Sequence, residues 1–151
     1  MIKIITVGTI KEKYLKDAIE EYKKRISKYT KINIIEVPDE GLVEPSKAIK
    51  LEAEKIEKHL NIKDYIITLE IEGKEYSSIE FARRINDILI ENSNITFIIG
   101  GSYGLSDDIK KMAKMHLSFS KMTFPHQLFR ILLLEQIYRA YKINHNESYH
   151  K

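Results

Sequence analysis

The chain contains no cysteine. That excludes disulfides, thiolate nucleophiles and cysteine-ligated zinc. It has no long hydrophobic run. The longest, Ile131 to Leu134, is far too short to cross a bilayer. The opening MIKIITVGTIKEKYL is no signal peptide, since charge follows its short apolar stretch at once. These features predict a soluble cytoplasmic protein without a membrane partner. Neither charge sign dominates: 25 Lys and Arg against 22 Asp and Glu leave a net charge of +3, which excludes a strongly basic nucleic-acid coat. The five histidines form no H-E-x-x-H or other tight ligand pair, so no metal site is expected. No Gly-Lys-Ser/Thr phosphate loop exists. Gly100, Gly101 and Gly104 fall short of G-x-G-x-x-G because Ile99 stands where the first glycine belongs, which argues against a nicotinamide fingerprint.

What is present is a single domain's worth of alternating patterns, over 1–151. A chain this long buries roughly 70% of its unfolded surface. Five short runs rich in β-branched and apolar residues read as strands: 2–7, 32–37, 65–70, 95–99 and 117–120. Between and after them lie helical periodicities at 14–29, 46–60, from Ser77 with an inner face of Phe81, Ile85, Ile88 and Leu89, at 106–115, and from 125 to about 143. Ser77 and Glu80 form a capping box, Ser106 is an N-cap, and Pro125 suits a helix start. Glu72-Gly73-Lys74 reads as a turn closing the third strand. The alternation predicts an α/β fold, a parallel sheet with helices on both faces.

The stretch 95–126 stands out. It places two strand ends and two helix starts close together, the arrangement that opens a ligand crevice at the carboxyl ends of a parallel sheet. Its glycine turn offers backbone without Cβ to a flat ligand. The loop Ser120 to His126 mixes apolar side chains with exposed backbone donors. His126 fits either a helix cap or a base. The last helix carries apolar residues nearly all round, so it is either a central core helix or a subunit interface, and a dimer is expected. Glu135 and Arg139 lie on one face of it, as an ion pair or as part of a site or interface. Tyr149 and His150 end a tail richer in aromatic and hydrogen-bonding groups than a fraying terminus needs. Eight Lys and Arg between 11 and 31, against four acids, read as a solvated helix face or a phosphate-contacting one.

IIGGSYGLS at 98–106, SFSKMTFPHQLFRILLLEQIYRAYKI at 118–143 and the terminal YHK together resemble the ribosomal RNA large subunit methyltransferase H family, of the SPOUT group of knotted methyltransferases. The opening segment and TLEIEGK at 68–74 extend the resemblance over the whole chain. Its carboxyl-terminal third is the specific part.

That resemblance implies a deep trefoil knot and donor site within about 65–151, and a homodimer with its site at the subunit interface. It implies S-adenosylmethionine as methyl donor, held by Leu69, Gly100 and the loop Phe119, Ser120, Lys121, Met122, Thr123 and Phe124. The acceptor would be N3 of a pseudouridine in large-subunit (23S) ribosomal RNA, on the assembled ribosome. His126, Glu135, Arg139, Tyr149 and His150 would surround it. His126 or Glu135 would assist proton removal, Arg139 would hold base or phosphate, Tyr149 would stack on RNA and His150 would touch its backbone. Rival readings are a knotted methyltransferase with another RNA target, a non-catalytic ribosome-associated dimer, and a nucleotide-binding α/β regulator.

Overall fold

The computed structural model describes the whole chain, Met1–Lys151. Ten elements alternate: β1 Ile2–Val7, α1 Lys13–Ile26, β2 Ile32–Val37, α2 Pro45–Glu57, β3 Tyr65–Glu75, α3 Ser78–Glu91, β4 Ile95–Ile99, α4 Asp107–Met112, β5 Met115–Ser118 and α5 His126–Asn144. The five strands form one sheet in the order β2-β1-β4-β3-β5, and every pairing is parallel. Ile2 sits opposite both Ile32 and Ile95, so the β-branched runs align in the middle of the sheet.

The period-two alternation of the strands splits the core in two. Ile2, Ile4, Ile67, Ile95 and Phe97 face α1, α3 and α5, and pack with Leu15, Ile19, Phe81, Ile85, Leu133, Leu134 and Ile137. Ile5, Val7, Ile66 and Ile98 face the other way, onto Ala53 and Ile56 of α2 and Ile109 of α4. Helices on both faces are therefore borne out. So are both serine caps: the Ser77 side chain accepts from the Glu80 amide while Glu80 reaches back to Ser77, and Ser106 accepts from the Ile109 amide.

The differences lie at element ends. α1 stops at Ile26, and the Tyr29 amide bonds to the Ile26 carbonyl in a closing turn. After Glu57 the chain of α2 tightens in the same way, with Leu60 N–H on the Glu57 carbonyl. α4 ends at Met112, and β5 starts at Met115. Glu72-Gly73-Lys74 is not a terminal turn: β3 runs on to Glu75, and Leu117 of β5 pairs with both Leu69 and Lys74. The residues between form a wide bulge. A Cβ on Gly73 would stand 2.8 Å from the carbonyl carbon and oxygen of His116, so glycine is required there for close backbone approach.

α5 buries one stripe, Arg130, Leu133, Leu134, Ile137, Ala140 and Tyr141. Its other stripe, Leu128, Leu132, Glu135 and Arg139, stays partly or fully uncovered. One chain covers only one side of this helix. No helix is long and apolar enough to cross a membrane.

Candidate functional site

β5 lies at one edge of the sheet, yet α5 starts against the far strands. Arg130, in its second turn, donates to Glu36 Oε2 of β2 at 2.8 Å, to Thr6 Oγ1 of β1 at 3.2 Å and to the Gly8 carbonyl at 3.3 Å. Segment 119–125 must therefore cross the carboxyl ends of β3 and β4 to reach β1. Three strand spacings are about 14 Å, and seven extended residues reach about 23 Å, so the crossing is easily spanned and leaves a slack loop over the strand ends.

Under that loop is a crevice of about 350 Å³, within the range of small-molecule sites. Three segments line it: the β3 bulge Leu69–Glu72, the turn Ile99–Leu105, and Ser120 with Met122–Phe124. His126 and Phe129 close the end nearest α5. The glycine turn closes on itself through Gly104 N–H to the Gly101 carbonyl at 3.1 Å, with Gly104 at φ +85°. A Cβ on Gly100 would meet the Gly104 carbonyl carbon and oxygen at 2.9 Å. The floor therefore tolerates no side chain there and exposes peptide edges instead.

Of the residues expected to hold a donor, Leu69, Gly100, Ser120, Met122, Thr123 and Phe124 line the crevice, and Phe119 and Lys121 do not. The Phe119 ring packs on Phe129, 4.9 Å between centroids, so it supports the wall from behind. The loop holds its shape through Met122 N–H to Ser120 Oγ at 3.0 Å.

Two titratable groups shape the crevice. Burial pushes the Glu70 carboxyl upward. Hydrogen bonds from Thr68, at 2.6 Å, and from His116, with the nearby Lys110 ammonium, outweigh it, so Glu70 titrates below the usual carboxylate range. His126 is shifted down, chiefly by burial. The Asp39 carboxylate pulls it back up and the Arg130 charge opposes that. His126 therefore presents a neutral imidazole near pH 7, with Nε2 3.5 Å from Ser102 Oγ.

Glu135, Arg139, Tyr149 and His150 form a second group. Arg139 forks onto Glu135 at 2.5 and 3.0 Å, and Tyr149 OH donates to the same carboxylate at 3.1 Å. His150 Nδ1 lies 3.1 Å from Arg139 Nη1, and Arg139 covers the Tyr149 ring at 4.7 Å. The tail is tied down: Glu147 accepts from Tyr29 OH and Lys142 Nζ, both at 2.9 Å. Nine residues along a helix are about 14 Å, so Glu135 does not reach His126 within one chain. The five polar residues expected around one acceptor thus fall into two places.

Sequence reasoning passed over Arg130, a lone charge between Phe129 and Ile131, although its apolar setting is the signal that singled out Glu135 and Arg139. It is 2% exposed. It also missed Glu52 of α2, 3% exposed, whose Oε1 has no hydrogen-bond partner and lies 3.1 Å from where a Gly101 Cβ would stand.

The sequence profile described as "Predicted SPOUT methyltransferase" matches residues 1–150. A chain from Methanococcus maripaludis (strain C5) named "Putative ribosomal RNA large subunit methyltransferase H" is 58% identical, over 99% of both chains. The chain belongs to the ribosomal RNA large subunit methyltransferase H family of SPOUT methyltransferases. Its similarity to the protein named "Ribosomal RNA large subunit methyltransferase H" of Clostridium acetobutylicum is 52%, again over 99% of each chain. Among solved structures, a probable methylase family protein from Haemophilus influenzae Rd KW20 superposes with a TM-score of 0.59, covering 99% of this chain and 70% of that one. At 15% identity that likeness speaks to the fold alone.

Proposed function

We propose that this chain transfers a methyl group from S-adenosylmethionine to N3 of a pseudouridine in large-subunit (23S) ribosomal RNA, on the assembled ribosome. The observation that carries the reading is the crevice itself. It lies where the family resemblance puts the donor, between Leu69, Gly100 and the 120–124 loop, and its wall of peptide edges and apolar side chains suits an adenine ring. The residues fit the donor: the side-chain-free floor at Gly100 accepts a flat ring, and Leu69, Met122 and Phe124 supply apolar surface. When bound, the donor supplies an electrophilic methyl on a sulfonium. The chain's residues must orient the acceptor, exclude water and take up the N3 proton. In this reading residues 65–151 form the trefoil knot of the group, consistent with the return of α5 from the β5 edge to β1 and β2.

The split of the polar residues supports a homodimer. An antiparallel contact of two α5 helices about a point midway between His126 and Glu135 would exchange those positions between subunits. The uncovered stripe with Leu128, 43% exposed, and Leu132 lies between them. Each site would then combine the crevice and His126 of one subunit with Glu135, Arg139, Tyr149 and His150 of the other. His126, held neutral by burial, is the better placed proton acceptor. Arg139 and Tyr149 would hold the base, and His150 its backbone.

The test is mass mapping of ribosomal RNA after incubating undermodified large subunits and whole ribosomes with the protein and S-adenosylmethionine. One new methyl on a large-subunit pseudouridine supports the reading. A methyl only on transfer RNA, or donor binding without transfer to any RNA, would overturn it.

A further inference from the structure

A second groove runs on from the crevice along the β5 edge. The two share Glu70, Glu72 and Lys110. Its walls add Lys74 from the β3 bulge, Arg84 from α3 and Lys114 at the entry to β5. Four cations against two carboxylates give this one groove an excess of two positive charges, in a chain whose total excess is three.

The pairing state of these cations separates them from the basic run of α1. There, Lys13, Lys23, Arg25 and Lys28 each have a carboxylate within 4 Å, Asp17, Glu20, Glu21 and Glu147. Half of that expected phosphate face is spent on intramolecular pairs. Lys74, Arg84 and Lys114 have no carboxylate within salt-bridge distance, and all three are exposed. They are held instead by tyrosines. Lys114 Nζ lies 5.6 Å from the Tyr65 ring centroid, Arg84 Nη2 donates to Tyr65 OH at 2.9 Å, and Lys74 Nζ sits 5.1 Å over Tyr76. Cations oriented on aromatic rings keep their full charge and lose little freedom when a phosphate arrives. Of the two acids, Glu70 is already engaged by Thr68, His116 and Lys110, which leaves the exposed Glu72 alone against Lys74, Arg84 and Lys114.

We infer that this groove, Lys74–Arg84–Lys114, is the track for the phosphate backbone of the substrate RNA flanking the methylated base. The inference rests on the RNA methyltransferase reading above. It deepens that reading by naming the surface that grips the RNA outside the site. Continuity with the crevice fixes the direction: the strand leaves the acceptor position past the β3 bulge and runs toward β5. Phosphate contacts of this kind set position and affinity, not base identity.

The test compares wild type with Lys74→Gln/Lys114→Gln, which leaves the Arg84–Tyr65 bond in place, and with a triple variant that adds Arg84→Gln. The readouts are methyl transfer to large ribosomal subunits at several salt concentrations, and calorimetry with S-adenosylmethionine. Equal thermal melting of the double variant is the fold control. The expected result is a KM for subunits about 10-fold higher in the double variant. Its log–log salt slope should be shallower by roughly two, since each lost phosphate contact removes about one, with kcat and donor affinity unchanged. An unchanged KM and salt slope would overturn the inference, and so would a fall in kcat alone. If wild type binds donor but methylates no RNA, the function reading fails. The groove is then judged on anisotropy with a labelled single-stranded RNA 12-mer, where equal affinity and salt slope in wild type and variant overturn it.

Discussion

Arg130→Met removes the one charged group buried on the inner stripe of α5 while keeping much of its stem. The guanidinium holds Glu36, Thr6 and Gly8 through bonds of 2.8, 3.2 and 3.3 Å. Breaking one side of a buried pair costs about 3–5 kcal/mol when the partner is left buried. Here Glu36 is 37% exposed and keeps the Ile10 N–H at 3.0 Å, so it can rehydrate. Thr6, at 0% exposure, cannot, and Arg130 Nε already lacks a partner, which lessens the loss. We therefore expect roughly 2–3 kcal/mol of destabilisation, a large share of the 5–15 kcal/mol typical of a domain. Urea unfolding followed by circular dichroism at fixed protein concentration reads it directly. Because Arg130 anchors the α5 start, one turn from His126, the variant should also weaken donor binding at least several-fold, and Arg130→Lys should recover part of both. A loss under about 0.5 kcal/mol with donor affinity intact would refute the anchoring argument.

The Glu52 carboxyl is pushed above its ordinary value of 4.5, chiefly by burial. Its folded form holds the proton to higher pH than the unfolded chain, so its favourable contribution is full below pH 4.5 and is lost as pH rises through the folded pKa. Glu52→Gln should therefore gain roughly 1 kcal/mol at pH 8 and less at pH 5 by thermal melting; a loss at pH 8 would contradict this. Glu147 behaves oppositely. Bonds from Lys142 and Tyr29 hold it down to about 2, against 4.5 for the free group. Its clamp on the tail is present above pH 4.5 and fades as pH falls toward 2. The protection of the 146–151 amides, relative to their intrinsic exchange rate at each pH, should fall over that window, and in Glu147→Gln it should already be low at neutral pH.

Much of this was legible in the residues. β-branched runs ending at glycine or proline set the bounds of three strands, β1, β2 and β4, and the serine caps placed two helices. What escaped depended on distant partners. Nothing near Gly73 says that β5 will press against it, so a bulge read as a turn. The crossing of 119–125 to the far strands is set by Arg130 meeting Glu36, 94 residues away. Lys121 and Phe119 share the crevice loop with Met122 but do not line the crevice, because the loop's own serine bond and the Phe129 ring decide which side chains face inward. The basic run 11–31 allowed a phosphate-contacting reading, yet its own acids, three and four residues away, take up Lys13, Lys23 and Arg25, and the distant Glu147 takes Lys28.

The central claim is that two half-sites 14 Å apart on one helix become one site across a two-fold. His126→Ala and Glu135→Gln, each purified alone, should both be severely impaired in methyl transfer to large subunits while still binding S-adenosylmethionine. Mixed in equal amounts and allowed to exchange subunits, half the dimers carry one site in which both residues are native. Activity should then return to about a quarter of wild type. A mixture no more active than the separate variants, with exchange verified by mass, would contradict the shared site.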